Sequence, residues 1–240
     1  MFSSRGIIMA GNLNVMASVA FKGLLERFEP EFRQSTGFVF APVYAPAGTV
    51  VKRIRTGATA DVVVVTPETM KLLIDEGLAM AGSERNIATS VVGVAVRTGA
   101  PRPKIATPDD VRTALIAAKS VAYTDPSTGA ASGVHFVQLL ERFGIADAVK
   151  AKAKLGDGGP VAEFVARGEA EIAIQQLCEH MLVPGVDVVG PLPDELNKTT
   201  VFTAGVTRSA AAPDEGAALI KLLLAPHVRA AMPSHGLTPV

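Results

Sequence analysis

The sequence holds a single cysteine, Cys178, among 240 residues, so no disulfide can close within the chain and no all-cysteine metal centre can be built. It has no surplus of charge. There are 23 Lys and Arg against 23 Asp and Glu, with no run of one sign, so the electrostatic footprint for a nucleic-acid backbone or an anionic membrane is missing. Long hydrophobic runs are missing too. The longest apolar stretches, such as residues 62–65 and 91–96, fall far short of the roughly 20 residues that cross a bilayer. The four histidines, His135, His180, His227 and His235, are scattered. No His-x-x-x-His or His-Glu-x-x-His pair puts two ligands on one helix face, so no catalytic metal is expected. At the N-terminus, Met1-Phe2-Ser3-Ser4-Arg5 leads straight into a strand-like run without the apolar core of a secretory signal. Two compartments stay open as expectations: periplasm if an export signal was removed, cytoplasm otherwise.

What is present is the composition of a globular protein, 48% hydrophobic and 19% charged, with ample length for a core. The dominant rhythm is a short β-branched run, a turn of Gly, Pro or Ser, then apolar residues at three and four spacing, which reads as α/β. The pattern predicts a strand over residues 6–10, a turn at Gly11-Asn12 and a helix over 14–28 stopped by Glu29-Pro30. Strands follow at 38–44 and 61–65, with a turn at 45–49 and a helix at 50–55 between them. The 61–65 strand is apolar on both faces, as suits a central parallel strand. Thr66-Pro67-Glu68 and Thr107-Pro108-Asp109-Asp110 are cap, proline, acid helix starts. A long strand is expected at 88–97, others at 120–123, 171–174, 186–189 and 200–206, and helices at 132–143, 160–167 and 213–232.

In open α/β sheets ligands lie beyond the carboxyl ends of the strands, where the next helix offers unpaired N–H groups and the positive end of its dipole. Four such turns are built of small, hydroxyl or amide residues: Ala10-Gly11-Asn12, Ala47-Gly48-Thr49, Ala131-Ser132-Gly133 and Gly158-Gly159-Pro160. Small residues let a ligand approach the backbone, and hydroxyl or amide groups donate beside it. Together they would hold a small anion with neutral donors; singly, each is an ordinary helix start. Gly129-Ala130-Ala131-Ser132-Gly133 lacks the spacing of a phosphate loop, and no Gly-x-Ser-x-Gly elbow occurs, so neither nucleotide nor other cofactor is expected. His135 lies in the first turn of its helix, within possible reach of a carboxylate. Lys52 and Arg53 follow the Gly48-Thr49 turn, where a solvated face is the default. Cys178-Glu179-His180 has the look of a reactive cluster, but adjacent residues point in different directions, and it is set aside as a catalytic group.

The ordered segments Ala60-Asp61 before Val62-Val63-Val64-Val65, Gly93 through Pro101, Ser132-Gly133-Val134-His135-Phe136, Leu140 through Ile145, Gly168-Glu169-Ala170-Glu171-Ile172 and Val189-Gly190-Pro191-Leu192-Pro193 resemble the bacterial solute-binding proteins of the molybdate-binding type. The resemblance spans nearly the whole chain. It implies a type II periplasmic-binding fold: two similar α/β lobes with mixed central sheets joined by two crossover strands, near 88–97 and 200–206, closing on an anion. Lobe I would comprise residues 1–88 and 197–240, lobe II residues 89–196, with the cleft between. The family's ligand turns carry over to Gly11, Asn12, Gly48, Thr49, Ser132, Gly133, Gly159 and Pro160. The family's oxyanion-binding tyrosine falls at Gln176, and the first two turns lack serine. A glutamine accepts as well as donates, so an organic acid is expected in place of molybdate. The implied function is a monomeric binding protein for a small anion, handing it to the permease of an ABC-type transporter. The alternative is an isomerase that moves a double bond in an unsaturated tricarboxylic acid such as aconitate, for which His135, Tyr123 and Lys52 are the acid–base candidates. A sensing domain of a regulator is disfavoured, since no helix-turn-helix accompanies the lobes.

Overall fold

The computed structural model describes residues 11–240; the strand expected at residues 6–10 lies outside the described residues. In chain order the elements are β1 (Gly11–Ala17), α1 (Lys22–Thr36), β2 (Phe38–Tyr44), α2 (Ala47–Arg55), β3 (Val62–Val65), α3 (Pro67–Asp75), β4 (Arg85–Ser90), β5 (Val92–Arg97), α4 (Pro108–Ala117), β6 (Val121–Thr124), α5 (Ala131–Arg142), α6 (Ala146–Lys150) and β7 (Ala153–Gly156). Then come α7 (Ala162–Ala166), β8 (Ile172–Gln176), α8 (Leu177–His180), β9 (Val186–Pro191), β10 (Thr200–Val206), α9 (Pro213–Leu223), α10 (Pro226–Ala231) and β11 (Thr238–Pro239). Short 3-10 turns occupy Val19–Phe21, Pro126–Thr128 and Met232–His235.

Two mixed sheets carry the two lobes, in the orders β11-β4-β10-β3-β1-β2 and β7-β6-β8-β5-β9. In the first, β1 runs parallel to β2 and β3, and β10 lies antiparallel to β3 and β4. In the second, β6 runs parallel to β7 and β8, and β5 lies antiparallel to β8 and β9. Helices cover both faces of each sheet. The consequence shows in β3, where Val62 and Val64 enter one core and Val63 and Val65 the other. A strand buried on both faces has no polar side to alternate with, so it reads as a pure valine run.

The chain passes between the sheets twice. The strand expected over 88–97 is broken at Val91, giving β4 to the first sheet and β5 to the second. The return runs through Leu192 and Asn197 into β10. Asn197 clasps the two passages: its Oδ1 accepts from Val92 N at 3.0 Å, and its Nδ2 donates to the carbonyls of Val92 and Leu192, each at 3.0 Å.

Several expectations need correction. Gly11 and Asn12 are not a strand-to-helix turn: they open β1, whose buried Leu13, Val15 and Ala17 alternate at the period of a strand. The helix expected at 14–28 starts at Lys22, and Pro30 does not stop it but stands inside α1 on its exposed side. Leu24, Leu25, Phe28 and Phe32 are buried along one stripe of α1, and that burial carries the helix through the proline. The helix expected at 160–167 is shorter, and the one expected at 213–232 breaks at Ala225-Pro226. Asp61 takes a part composition did not suggest. Its carboxylate accepts from Asn14 N at 2.7 Å and from Ala211 N and Ala212 N at 2.7 and 2.9 Å, tying β1 to the loop that leads into α9.

Candidate functional site

The carboxyl ends of β1, β3, β6 and β8 converge where the lobes meet, and a cavity lies there. From the first lobe it is walled by Ser18, Val19, Ala45, Pro46, Ala47, Val64, Val65, Thr66, Thr200 and Phe202. From the second come Thr124, Ala130, Ala131, Ser132, Gly158, Gln175, Gln176 and Glu179. It gives the centre of a water-sized sphere about 50 Å³. Widened by a sphere radius of about 1.4 Å, that room is on the order of 200 Å³, enough for an oxyanion or a small organic acid and too little for a nucleotide. A larger groove beside Arg97, Arg102 and Glu171 opens at the far ends of the strands, away from the edge where α/β sheets take ligands.

Among the described residues no lysine or arginine lines the cavity. Positive potential comes instead from two helix starts. Both α2 and α5 begin without a side-chain cap, so the first-turn N–H groups at Ala47, Gly48 and Thr49, and at Ala131, Ser132 and Gly133, have no partner within their helices. Hydroxyls stand beside them. Ser18 caps the turn after β1, its Oγ accepting from Ala20 N at 3.3 Å, and Thr66 caps α3 by accepting from Thr69 N at 3.4 Å.

The lobes touch across the mouth of the cavity. A Cβ on Gly48 would lie 2.7 Å from the carbonyl oxygen of Thr128, and one on Gly158 would lie 2.9 Å from Cδ of Pro46. Both contacts join one lobe to the other, and both need the missing side chain.

The turn from β8 into α8 carries the site's distinctive groups. Gln175 is spent on structure: its Oε1 accepts from Val161 N at 2.8 Å and its Nε2 donates to Thr124 Oγ1 at 3.1 Å and Gly159 O at 3.2 Å. Gln176 Nε2 donates to Thr200 Oγ1 at 2.8 Å, across from one lobe to the other. Glu179 is 7% exposed and is the one titratable side chain on the wall among the described residues. Burial pushes its carboxyl up to about 8, against a smaller lowering by the Gln175 amide. Its neighbours turn elsewhere: His180 is fully buried with Nε2 on the Gly93 carbonyl at 3.2 Å, and burial pushes it down to about 4. The thiol of Cys178 is held above its ordinary range by burial.

Of the residues singled out in the sequence, the structure brings Ser132 and Gln176 to the wall. Gly48 and Thr49 lie in the first turn of α2, next to it. Gly133 serves packing, since a Cβ there would lie 2.3 Å from the Thr124 carbonyl oxygen. Gly159 offers its carbonyl to Gln175, and its neighbour Gly158 takes the wall position; Pro160 is off the wall. Gly11 and Asn12 sit at the opposite end of β1 from the cavity. None of the three acid–base candidates faces it. His135 Nε2 is 2.7 Å from the Leu196 carbonyl. Tyr123 is buried edge-on against Phe136, its hydroxyl held high by desolvation. Lys52 is exposed on the outer side of α2. Sequence reasoning missed Ser18, Thr66 and Glu179.

Two lobes built on mixed sheets, crossed twice by the chain, with an anion-sized cavity at the crossing, define a protein of the periplasmic-binding fold. Solved structures of that fold superpose over most of the chain. A periplasmic molybdate-binding protein of Azotobacter vinelandii matches with a TM-score of 0.79 at 21% identity, covering 94% of this chain and 98% of that one. A sulfate-binding protein of Mycobacterium tuberculosis H37Rv matches at 0.78 and 17% identity, covering 96% of this chain and 87% of that one. Residues 13–238 match the model of the bacterial extracellular solute-binding proteins, and the chain belongs to that family. A protein of Pseudomonas sp named aconitate isomerase is 32% identical over 234 residues, covering 95% of this chain and 88% of that protein.

Proposed function

We propose that this protein is an isomerase that shifts a carbon–carbon double bond in a small unsaturated polycarboxylic acid, with aconitate the first compound to test. One observation carries the reading: a buried carboxyl, Glu179, stands in a cavity whose other groups are neutral hydrogen-bonding or apolar. A cavity that only holds an anion gains nothing from a carboxyl in its wall. An allylic proton shift needs such a group. The likeness to a protein named aconitate isomerase over nearly the whole length agrees with it.

In this reading the first-turn N–H groups of α2 and α5, with Ser18, Thr66 and Ser132, bind and orient the carboxylates. Val19, Val65 and Phe202 keep water away. Glu179, as carboxylate, takes a proton from the saturated carbon beside a carboxyl group. The electron pair of that C–H bond forms a new double bond to the central carbon, the old double bond releases its pair to the carbon beyond, and Glu179 returns a proton there. No proton is gained or lost over the cycle. A base whose pKa lies near the working pH is both partly ionised and strong, and such a group contributes about 10²–10⁴-fold.

The test is interconversion of cis- and trans-aconitate, followed by proton NMR. Glu179→Gln is expected to lower kcat by about 10²–10⁴-fold while binding trans-aconitate within tenfold of the parent. A Glu179→Gln variant of undiminished activity, or a parent that binds aconitate without turnover, sinks the proposal. The latter result would favour the second reading, which the family itself supports: a periplasmic binding protein that closes on a small acid and passes it to a transporter permease.

A further inference from the structure

Helix α8 leaves the second sheet at the end of β8, yet its second residue, Cys178, is buried in the core of the first lobe with Phe21, Leu24, Leu25 and Met232. The docking is backbone on backbone. A Cβ on Gly236 would lie 2.7 Å from Cys178 Cα and 2.8 Å from Cys178 N, with Met181 Sδ at 2.9 Å. Gly236 has no room to retreat. Its N–H donates to the Pro233 carbonyl at 3.1 Å, its carbonyl accepts from Ser90 Oγ at 3.0 Å, and Met232 and Leu237, both buried, root the turn in the first lobe. The second lobe holds α8 through Gly93, whose carbonyl accepts from His180 Nε2 at 3.2 Å and whose Cβ, if present, would overlap Leu177 Cδ2. Glu179 therefore stands between Cys178, seated on one lobe, and His180, tied to the other. At four residues α8 is too short to hold itself together, so these contacts decide where it lies.

We infer that Gly236 is a positioning residue for Glu179: lacking a side chain, it lets the backbone of α8 seat against the first lobe, and that seat keeps the Glu179 carboxyl buried in the cavity wall. Any Cβ at Gly236 drives α8 away from the first lobe and admits water to the carboxyl. Only where Glu179 acts as the base does this bear on catalysis, and to that extent it rests on the proposed function. The groups beside the carboxyl are the Gln175 amide and the neighbouring Cys178 and His180, both kept neutral by burial, and no other titratable side chain lines the cavity among the described residues. The titration of Glu179 thus reads out its hydration.

The experiment compares the full chain with Gly236→Ala and, as control, Gly77→Ala. Gly236 and Gly77 share a left-handed backbone, with φ of 69° and 70°, so alanine is strained equally at both. They differ in what the new Cβ meets, since nothing lies within 4 Å of it at Gly77. Carbon-13 NMR follows the glutamate carboxyls through a pH titration, with Glu179→Gln assigning the resonance. The parent carboxyl is expected to titrate near about 8, that of Gly236→Ala at least about one unit lower, and that of Gly77→Ala as the parent. In aconitate turnover, Gly236→Ala should lose at least about tenfold in kcat, with the acidic limb of its pH profile moved down by the same shift and KM within about threefold. Gly77→Ala should match the parent in all three. A Glu179 titration unchanged in a folded Gly236→Ala overturns the inference, as does an equal shift in Gly77→Ala, which would make the effect one of backbone strain alone. Should Gly236→Ala not fold, Cys178→Ala takes its place by slackening the same seat: a downward shift supports the inference and an unchanged titration overturns it. A parent without turnover sinks the isomerase reading and leaves the NMR titration to decide this one.

Discussion

Glu179 and His180 sit side by side in the short α8, and burial shifts both towards their neutral forms, the glutamate up to about 8 and the histidine down to about 4. The unfolded chain releases the glutamate proton near 4.5, so between there and about 8 the folded state holds more protons and stability falls as pH rises. For His180 the unfolded chain takes up a proton near 6.5 and the folded state only near 4, so stability falls as pH drops through that window. The two effects oppose each other below pH 6.5, and above it the glutamate acts alone. Urea unfolding is therefore expected to show the parent losing up to about 2 kcal/mol between pH 6.5 and pH 8, and Glu179→Gln losing almost none of it. A variant as pH-sensitive as the parent would mean that Glu179 ionises freely. At this scale the sequence displayed Cys178-Glu179-His180 but not which member counts. Adjacent side chains do diverge, and only the fold shows that the middle one points to the cavity. The legible signal was position: an acid a few residues past the buried run Ile172–Ile174, where the other parallel strands end.

Elements were legible wherever local chemistry and burial agree. Thr107 and Asp110 form the reciprocal cap expected of their spacing, Asp110 N to Thr107 Oγ1 and Thr107 N to Asp110 Oδ2 both at 3.1 Å. Thr107→Ala is expected to cost about 1 kcal/mol in urea unfolding and to leave ligand affinity unchanged, since α4 lies away from the cavity. Elements were misread where the two disagree. Gly11-Asn12-Leu13-Asn14 holds three poor strand formers, Gly11, Asn12 and Asn14, and its partner makes it a strand: β2 pairs along its whole length, and β3 joins the other side of β1 from Val15 onward. The error moved the candidate turn from Ser18, which lines the cavity, back to Asn12. Pro30 punctuates α1 on paper, yet a stripe of buried leucine and phenylalanine outweighs one lost hydrogen bond on the solvent side. Pro30→Ala should accordingly raise stability, by about 1–3 kcal/mol, with the same unfolding measurement. A decrease would mean that the proline's stiffening of the unfolded chain is worth more than the bond it removes.

For the molecule as a whole, the question is what holds two lobes shut over so small a space. Among the groups at the mouth, Gly48 is the most telling. It lies in the first turn of α2, on one lobe, and a Cβ there would come within 2.7 Å of the Thr128 backbone carbonyl on the other. A backbone oxygen cannot swing aside as a long side chain would, so Gly48→Ala should keep the lobes from meeting without disturbing either core. Its effect on the helix runs the other way, since alanine in place of glycine favours a helix by up to about 1 kcal/mol. The variant is therefore expected to melt at or above the parent's temperature without ligand, yet to bind trans-aconitate at least about tenfold more weakly, which is about 1.4 kcal/mol lost from the closed state alone. Small-angle scattering should show a ligand-dependent contraction in the parent and little in the variant. Opposite signs in stability and affinity separate a blocked closure from a damaged fold. Equal affinity would show instead that the Thr128–Gly129 turn yields, and that closure is held deeper in, by the Gln176 bond to Thr200 and the walls around it.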